Sequence, residues 1–344
     1  MRHNGVGRLW LPLLAVAVVL VVWLRTTGTE AAFAVTTKNP GNTVTAAADW
    51  KPPIISRATV LKTEGGIAGY VHSSGSFTVL ANVVEDPSSN PPAGIANVLG
   101  NVGNLTGNAT GVAMSASAQT VSGQSYAYAS ASQTVSTGLA QGSPGASITS
   151  SDRATPANTS TAFPFTVVVD NTSPSSLSVT TTNAGGSSGA GVPGVGDTIT
   201  YTWSEIIDPT SIVTGWDGTG TQNVTVQITN KNGNGSSDQV NILDGTTGTT
   251  PLALGTYLLG STGYVKSGTV TFGKPGDTIR STMTWTGTGV TVTLGQVDTG
   301  GGTPNGVSTR TTGSWTPQSG PFDRAGNLST TGVLTEPSSG SVKF

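Results

Sequence analysis

The chain has 344 residues, a formal net charge of −2 and no cysteine. Charged residues make up 9% of it, against about 25% in an ordinary soluble domain, so hydroxyls and amides must solvate the surface. Its 15 Lys and Arg never cluster, which argues against nucleic-acid binding and against a polybasic membrane footprint. Without thiols, thiolate catalysis, thiolate zinc sites and disulfides are excluded.

Arg2, His3 and Arg8 form a basic start, and an apolar run follows from Leu9 to Leu24. That run contains Pro12 and falls short of the ~20 residues needed to cross a bilayer. Arg25 and a polar stretch lead to Glu30-Ala31-Ala32-Phe33-Ala34, whose small residues suit a signal peptidase. The expectation is a signal peptide over residues 1–34, with a retained membrane anchor as the alternative. Residues 35–53 read as an extended lead-in, closed by the stiff Trp50-Lys51-Pro52-Pro53.

A first module is expected over residues 54–171. Strands are predicted at Gly69–His72, Ser76–Val84, Val112–Ala116, Ser125–Ala129 and Phe163–Val169, with turn clusters between them. Asp170-Asn171-Thr172-Ser173-Pro174 reads as a joint. A second, larger module over residues 172–344 opens on Leu177-Ser178-Val179 and a glycine-rich loop from Gly185 to Gly196. Ile199, Tyr201 and Trp203 then alternate with Thr198, Thr200 and Thr202, as a half-buried strand requires. Val224/Val226/Ile228, Val270/Phe272, Met283/Trp285 and Val290/Val292/Leu294 repeat the alternation, and no amphipathic helix is expected beyond the signal. The fold class predicted is all-β, two tandem β-sandwich modules after an N-terminal signal helix.

Chemistry is sparse. Of two histidines, His3 lies in the signal and His72 reads as a strand end, so no Ser-His-Asp set can be assembled. Gly185-Gly186-Ser187-Ser188-Gly189 and Gly189-Ala190-Gly191-Val192-Pro193-Gly194 match a nucleophile elbow and a dinucleotide fingerprint in spelling only, because no helix follows either. Glu205 and Asp208 are the best-placed carboxylate pair for a glycoside hydrolase, a remote alternative beside a turn-forming role. Trp203 and Trp285 read as core, whereas Trp216 sits in a turn and would be exposed enough to offer a sugar platform. The C-terminus, Leu334 to Phe344, carries no sorting motif or hydrophobic tail, so no covalent wall anchor is expected.

Several stretches resemble known families. Ala32 to Ala46, with Thr36-Thr37-Lys38-Asn39-Pro40-Gly41-Asn42-Thr43, resembles the region after SipW-type signal peptides of TasA/camelysin-like matrix proteins. Asp170 to Pro174 resembles the joint between bacterial Ig-like domains. Gly196 to Pro209 resembles one of their strands, and Asp323-Arg324-Ala325-Gly326-Asn327 their closing turn, which Asp152-Arg153-Ala154…Asn158 echoes with a displaced asparagine. Together these are similar to secreted two-module Ig-like proteins of actinobacteria.

The resemblance implies Ig-like sandwiches and a non-enzymatic, exported cell-surface or extracellular-matrix role, structural or adhesion-like. A carbohydrate- or other ligand-binding secreted module is the alternative. It also implies calcium at the joint, for which Asp170, Asn171, Asp323 and Asn327 are the candidate ligands, capping of turns being their ordinary use. No other cofactor is expected. The expected partners are further copies, reached by strand addition through residues 33–49, or polymers of the cell envelope.

Overall fold

A computed structural model describes residues 49–63, 65–184, 191–231, 237–298, 301–307, 311–337 and 344. The expected signal peptide, most of the lead-in and the serine-glycine stretch at 185–190 lie outside the described residues. None of the helices among the described residues is long and apolar enough to cross a membrane.

The described chain is nearly all β. In its first half the strands are β1 (Ile54–Lys62), β2 (Tyr70–Val71), β3 (Ser76–Val84), β4 (Ile95–Asn101), β5 (Val112–Val121), β6 (Gln124–Ser130), β7 (Gln133–Thr134), β8 (Gly145–Asp152), β9 (Phe163–Thr166) and β10 (Val168–Val169). One helical turn, α1 (Gly103–Thr106), interrupts them. The second half holds β11 (Ser176–Thr182), β12 (Thr198–Trp203), β13 (Thr221–Thr229), β14 (Gln239–Asp244), β15 (Thr256–Leu258), β16 (Thr269–Phe272), β17 (Ser281–Trp285), β18 (Gly289–Thr293), β19 (Ser314–Thr316) and β20 (Leu334–Thr335).

The halves share no strand. The first sheet runs β1-β3-β6-β5-β4-β8-β9, and the second β11-β12-β18-β17-β13-β14-β15-β19-β20. In each the first strand lies beside the last, β1 beside β9 and β11 beside β20, without a pairing ladder between them. Each sheet thus wraps around its own core. Phe77, Val79, Val98, Ile148 and Val169 fill the first core, while Tyr201, Trp203, Tyr257, Phe272 and Trp315 lie in the second.

The threonine-alternating strand behaves as its pattern dictates: Ile199, Tyr201 and Trp203 are buried and the threonines between them half-buried. Trp315 makes edge-on contacts with Trp203 at 5.0 Å and with Tyr201 at 5.1 Å between ring centroids. Both indole N–H groups are satisfied, Trp203 Nε1 donating to Ser329 Oγ and Trp315 Nε1 to the Leu254 carbonyl. Such ring pairs add about 0.5–1.5 kcal/mol beyond the area they bury.

The strand expected over Phe163–Val169 is divided. β9 ends at Thr166, antiparallel to β8, and β10 then pairs in parallel with β2. Val167, between them, bonds the Pro144 carbonyl, so one continuous run serves two partners. Trp285, expected in the core, is half-buried at its edge. Strands β1, β4 and β8 were not expected: β1 and β4 bury few side chains, Val60 and Lys62 in one and Val98 in the other, and β8 turns Ser150 and Ser151 inward, with Ser150 Oγ bonding the Asn97 carbonyl.

Replacing Trp315 by alanine empties the centre of the second core. The expected cost is about 3–5 kcal/mol, as for other buried tryptophans. Chemical unfolding followed by tryptophan fluorescence should show the second half melting earlier than in the parent chain.

Candidate metal centre

The two halves begin in the same way, down to single residues. Between β1 and β3 the register slips between Ile55 and Arg57; between β11 and β12 it slips between Ser176 and Ser178. Asp49 stands six residues before Ile55, and Asp170 six before Ser176. Ile55 faces Val83 and Ser176 faces Trp203, and a glutamate follows two residues later in each case, Glu85 and Glu205. A third carboxylate arrives just before the last strand, Asp152 at the end of β8 in the first half and Asp323 in the connection between β19 and β20 in the second.

The fold therefore assembles two acidic trios, Asp49–Glu85–Asp152 and Asp170–Glu205–Asp323. In each, one carboxylate oxygen per residue lies within 4.8 Å of the others. An asparagine clamps each closing aspartate. Asn158 donates from its backbone N–H to Asp152 Oδ1 at 2.8 Å and from its amide to Oδ2 at 2.7 Å. Asn327 does the same for Asp323, both bonds at 2.8 Å. Each asparagine amide also reaches the backbone carbonyl of the entry aspartate, 3.4 Å to Asp49 and 2.9 Å to Asp170.

The aspartates are held by hydrogen bonds, whereas the glutamates are not. Asp49 accepts from Ser89 Oγ and from the N–H of Ala93, which together hold its carboxyl below the usual range. Both carboxylate oxygens of Glu85, and Oε1 of Glu205, are buried with no hydrogen-bond partner. Buried polar atoms in folded proteins are almost always satisfied, so an unsatisfied acceptor aimed at two other carboxylates needs a positive partner.

The electrostatics agree. Burial pushes Glu85 upward and Asp49 and Asp152 push it further, while the nearby Gly94 N–H pulls it back without reaching hydrogen-bond geometry. Burial raises Glu205 to about 7, assisted by Asp170 and Asp323 and opposed by Arg324. Burial likewise raises Asp323, against the lowering effect of its Asn327 bonds. Three convergent oxygens without nitrogen or sulfur donors fit a hard divalent cation, and calcium, with its tolerance for irregular oxygen cages, fits best. Asp49, Glu85 and Asp152 would hold one ion; Asp170, Glu205 and Asp323 would hold the other.

Of the residues singled out in the sequence, Asp170 and Asp323 do converge. Asn327 acts as a clamp: its Nδ2 donates to Asp323 Oδ2 and to the Asp170 carbonyl. Asn171 points away: its Oδ1 accepts from the Ser73 N–H and its Nδ2 donates to the Leu139 carbonyl, both at 2.8 Å. Of the carboxylate pair weighed for hydrolysis, Asp208 is buried and caps a short 3-10 turn through Thr210, while Glu205 converges with Asp170 and Asp323. Trp216 is 6% exposed, so it offers no sugar platform. His72 bonds the neighbouring Ser73 carbonyl. The glycine-serine pentapeptide lies outside the described residues.

Sequence reasoning missed Glu205 as the third member of the second trio and missed the first trio entirely. The signal was present: Asp49-x-x-x-Pro53 repeats as Asp170-x-x-x-Pro174, and a glutamate follows each second long strand.

The second trio sits where the halves meet. Asp170 N–H bonds the Val71 carbonyl, and Gln141 bonds both Asp170 Oδ1 and Thr172. On the other side of the trio, the Ile67 N–H reaches the Arg324 carbonyl. The Arg324 guanidinium lies 4.3 Å from the Tyr70 ring centroid and bonds its hydroxyl. Gly326 turns this loop with φ +86°, and a side chain there would collide with Lys62 of the first half.

A glutamate whose value rises on folding binds more protons in the folded chain than in the unfolded chain. Between its ordinary 4.5 and about 7, stability must therefore fall as pH rises, and it levels off above that window. Metal-free protein should melt at a lower temperature at pH 7.5 than at pH 5.5. Replacing Glu205 by glutamine should flatten that dependence in thermal scans run in EDTA.

Comparison with protein-family models, with curated proteins and with solved structures finds no match for this chain.

Proposed function

We propose that this chain is a non-enzymatic, exported structural or adhesion-like protein of the cell surface or extracellular matrix, built of two Ig-like modules, each fastened at its entry by calcium. The observation that carries the calcium part is the repeated trio with buried, unpartnered glutamate oxygens. One such cluster would be an ordinary acidic corner. Two, reproduced with the same bulge, the same register and the same asparagine clamp, are a conserved design within one chain.

The strand order of the first half supports the Ig-like reading. Taking β1, β3, β4, β5, β6, β8 and β9 as strands A to G, the path reads A-B-E-D and then C-F-G. The second half follows the same path through its first five strands, β11-β12-β18-β17-β13, and then departs from it. From Glu85 to Asp152 the chain takes 67 residues, and from Glu205 to Asp323 it takes 118, so the extra chain lies between the shared landmarks. The export reading rests on the basic start, the short apolar run and the small residues before Ala34. A structural role is supported by the site chemistry: the convergent carboxylates lack a neighbouring histidine, and the best-placed hydrolytic pair is split.

Calcium that binds only the folded chain stabilises it by mass action. Adding calcium to EDTA-treated protein should raise the melting temperature by several degrees. The double variant Glu85→Gln, Glu205→Gln should lose that response, yet be at least as stable as the parent in EDTA, because it removes the like-charge crowding. Calorimetry that finds identical melts with calcium and with EDTA would sink the calcium reading.

A further inference from the structure

A cation stands beside the second trio and does not neutralise it. Arg324 follows Asp323 directly in the chain, and its charge is near enough to draw Glu205 downward against burial and the two aspartates. Yet Arg324 forms no ion pair among the described residues, and Glu205 Oε1 is left without a hydrogen-bond partner. A guanidinium is a planar fork of donors that matches a carboxylate, so an arginine next to three crowded acids has every electrostatic reason to close on one of them.

The first half supplies what holds it away. The Arg324 guanidinium lies 4.3 Å from the ring centroid of Tyr70, and Nη1 donates to the Tyr70 hydroxyl at 2.9 Å. Tyr70 is itself fixed. It opens β2 opposite Val168 of β10, and its N–H bonds the Ile67 carbonyl. The turn that carries Arg324 is anchored to the same loop, since the Arg324 carbonyl accepts from the Ile67 N–H. Lys62, the other cation at this turn, lies against Gly326. With the backbone tied on both sides, the Arg324 side chain is the piece that can choose between a ring of the first half and the acids of the trio.

We infer that Tyr70 is a positioning residue that holds the Arg324 guanidinium off the second trio and so keeps that trio open to a cation. When the first half withdraws Tyr70, the guanidinium swings onto the carboxylates and neutralises them from within. The two partners of Arg324 exclude one another. A cation in the trio keeps Arg324 on Tyr70, and Tyr70 keeps the trio free for a cation, so ion uptake and docking of the halves favour each other by linkage. This regulation rests on the calcium reading of the trio proposed above.

The test is a calorimetric calcium titration of the full chain carrying Glu85→Gln, which leaves the second trio as the site to be read. Adding Tyr70→Leu keeps bulk but removes the ring, and affinity should fall about tenfold, as it does when the binding-competent state is populated about one tenth of the time. In a chain that also carries Arg324→Gln, the same Tyr70 substitution should change affinity by less than about twofold, because the competitor is gone. Tyr70→Phe retains the stacking face and should bind like the reference chain. Arg324→Lys keeps the charge without the flat face that stacks, so it should weaken calcium with Tyr70 intact; this arm decides the matter if Tyr70→Leu does not fold. A Glu85→Gln chain that takes up no calcium overturns the calcium reading of the second trio and this inference with it. Uptake that Tyr70→Leu weakens equally with and without Arg324 leaves the calcium reading standing and overturns the switch, since Tyr70 then only shapes the joint. The switch is also overturned if Arg324→Lys binds calcium as the reference chain does.

Discussion

Three carboxylates crowded within 4.8 Å set the terms for each half of this molecule. Like charges at that range repel, and burial of the glutamate removes the water that would otherwise screen them. The chain does not relieve the crowding by moving the acids apart. It tightens it, using an asparagine to lock the closing aspartate and backbone N–H groups to lock the entry aspartate. Entry segment, first long hairpin and closing turn are thereby brought to one point. Whatever neutralises that point fixes the order in which the sheet begins and ends.

The rest of the molecule spends its few charges differently. Asp238 accepts from the N–H groups of Lys231, Gly263 and Val265, and Asp197 from those of Ala184 and Gly194. Asp244 gathers the turn from Thr246 to Thr250, and those bonds hold its carboxyl far below the usual range. Glu336 ties Thr181 to Tyr257 across the closing edge of the second half. These are tethers for loops between short strands, each answered by donors. Asp277 Oδ2 is buried without a partner as well, but Glu85 and Glu205 add to their unanswered oxygens the convergence of two further carboxylates, which is why they mark a site rather than a turn.

Much of the second half was legible in its sequence, because a strand with one buried face must alternate. Ile199, Tyr201 and Trp203 announce themselves that way, as do Val224, Val226 and Ile228. The first half was harder to read, because β4 buries Val98 alone among its side chains and β8 buries serines beside Ala146 and Ile148, so neither carries a clear contrast between faces. The site was partly legible. Asp170 and Asp323 stand in recognisable turns, but Glu205 was weighed with Asp208, its neighbour in sequence, rather than with acids 35 and 118 residues away. Spacing along the chain reports proximity only within one element, and here register brought the three together.

The short parallel ladder between β2 and β10 has a mechanical consequence. Its bonds, Val168 N–H to the Gly69 carbonyl and Asp170 N–H to the Val71 carbonyl, tie the early part of the first half to the residue that enters the second. Tension between Asp49 and Asp170 would pull these parallel strands in opposite directions along their length. The bonds would then be loaded together in shear instead of peeling one at a time. Asp170 lies at the end of that ladder and in the second trio, so force reaching the joint would be felt at the carboxylates before either core is disturbed.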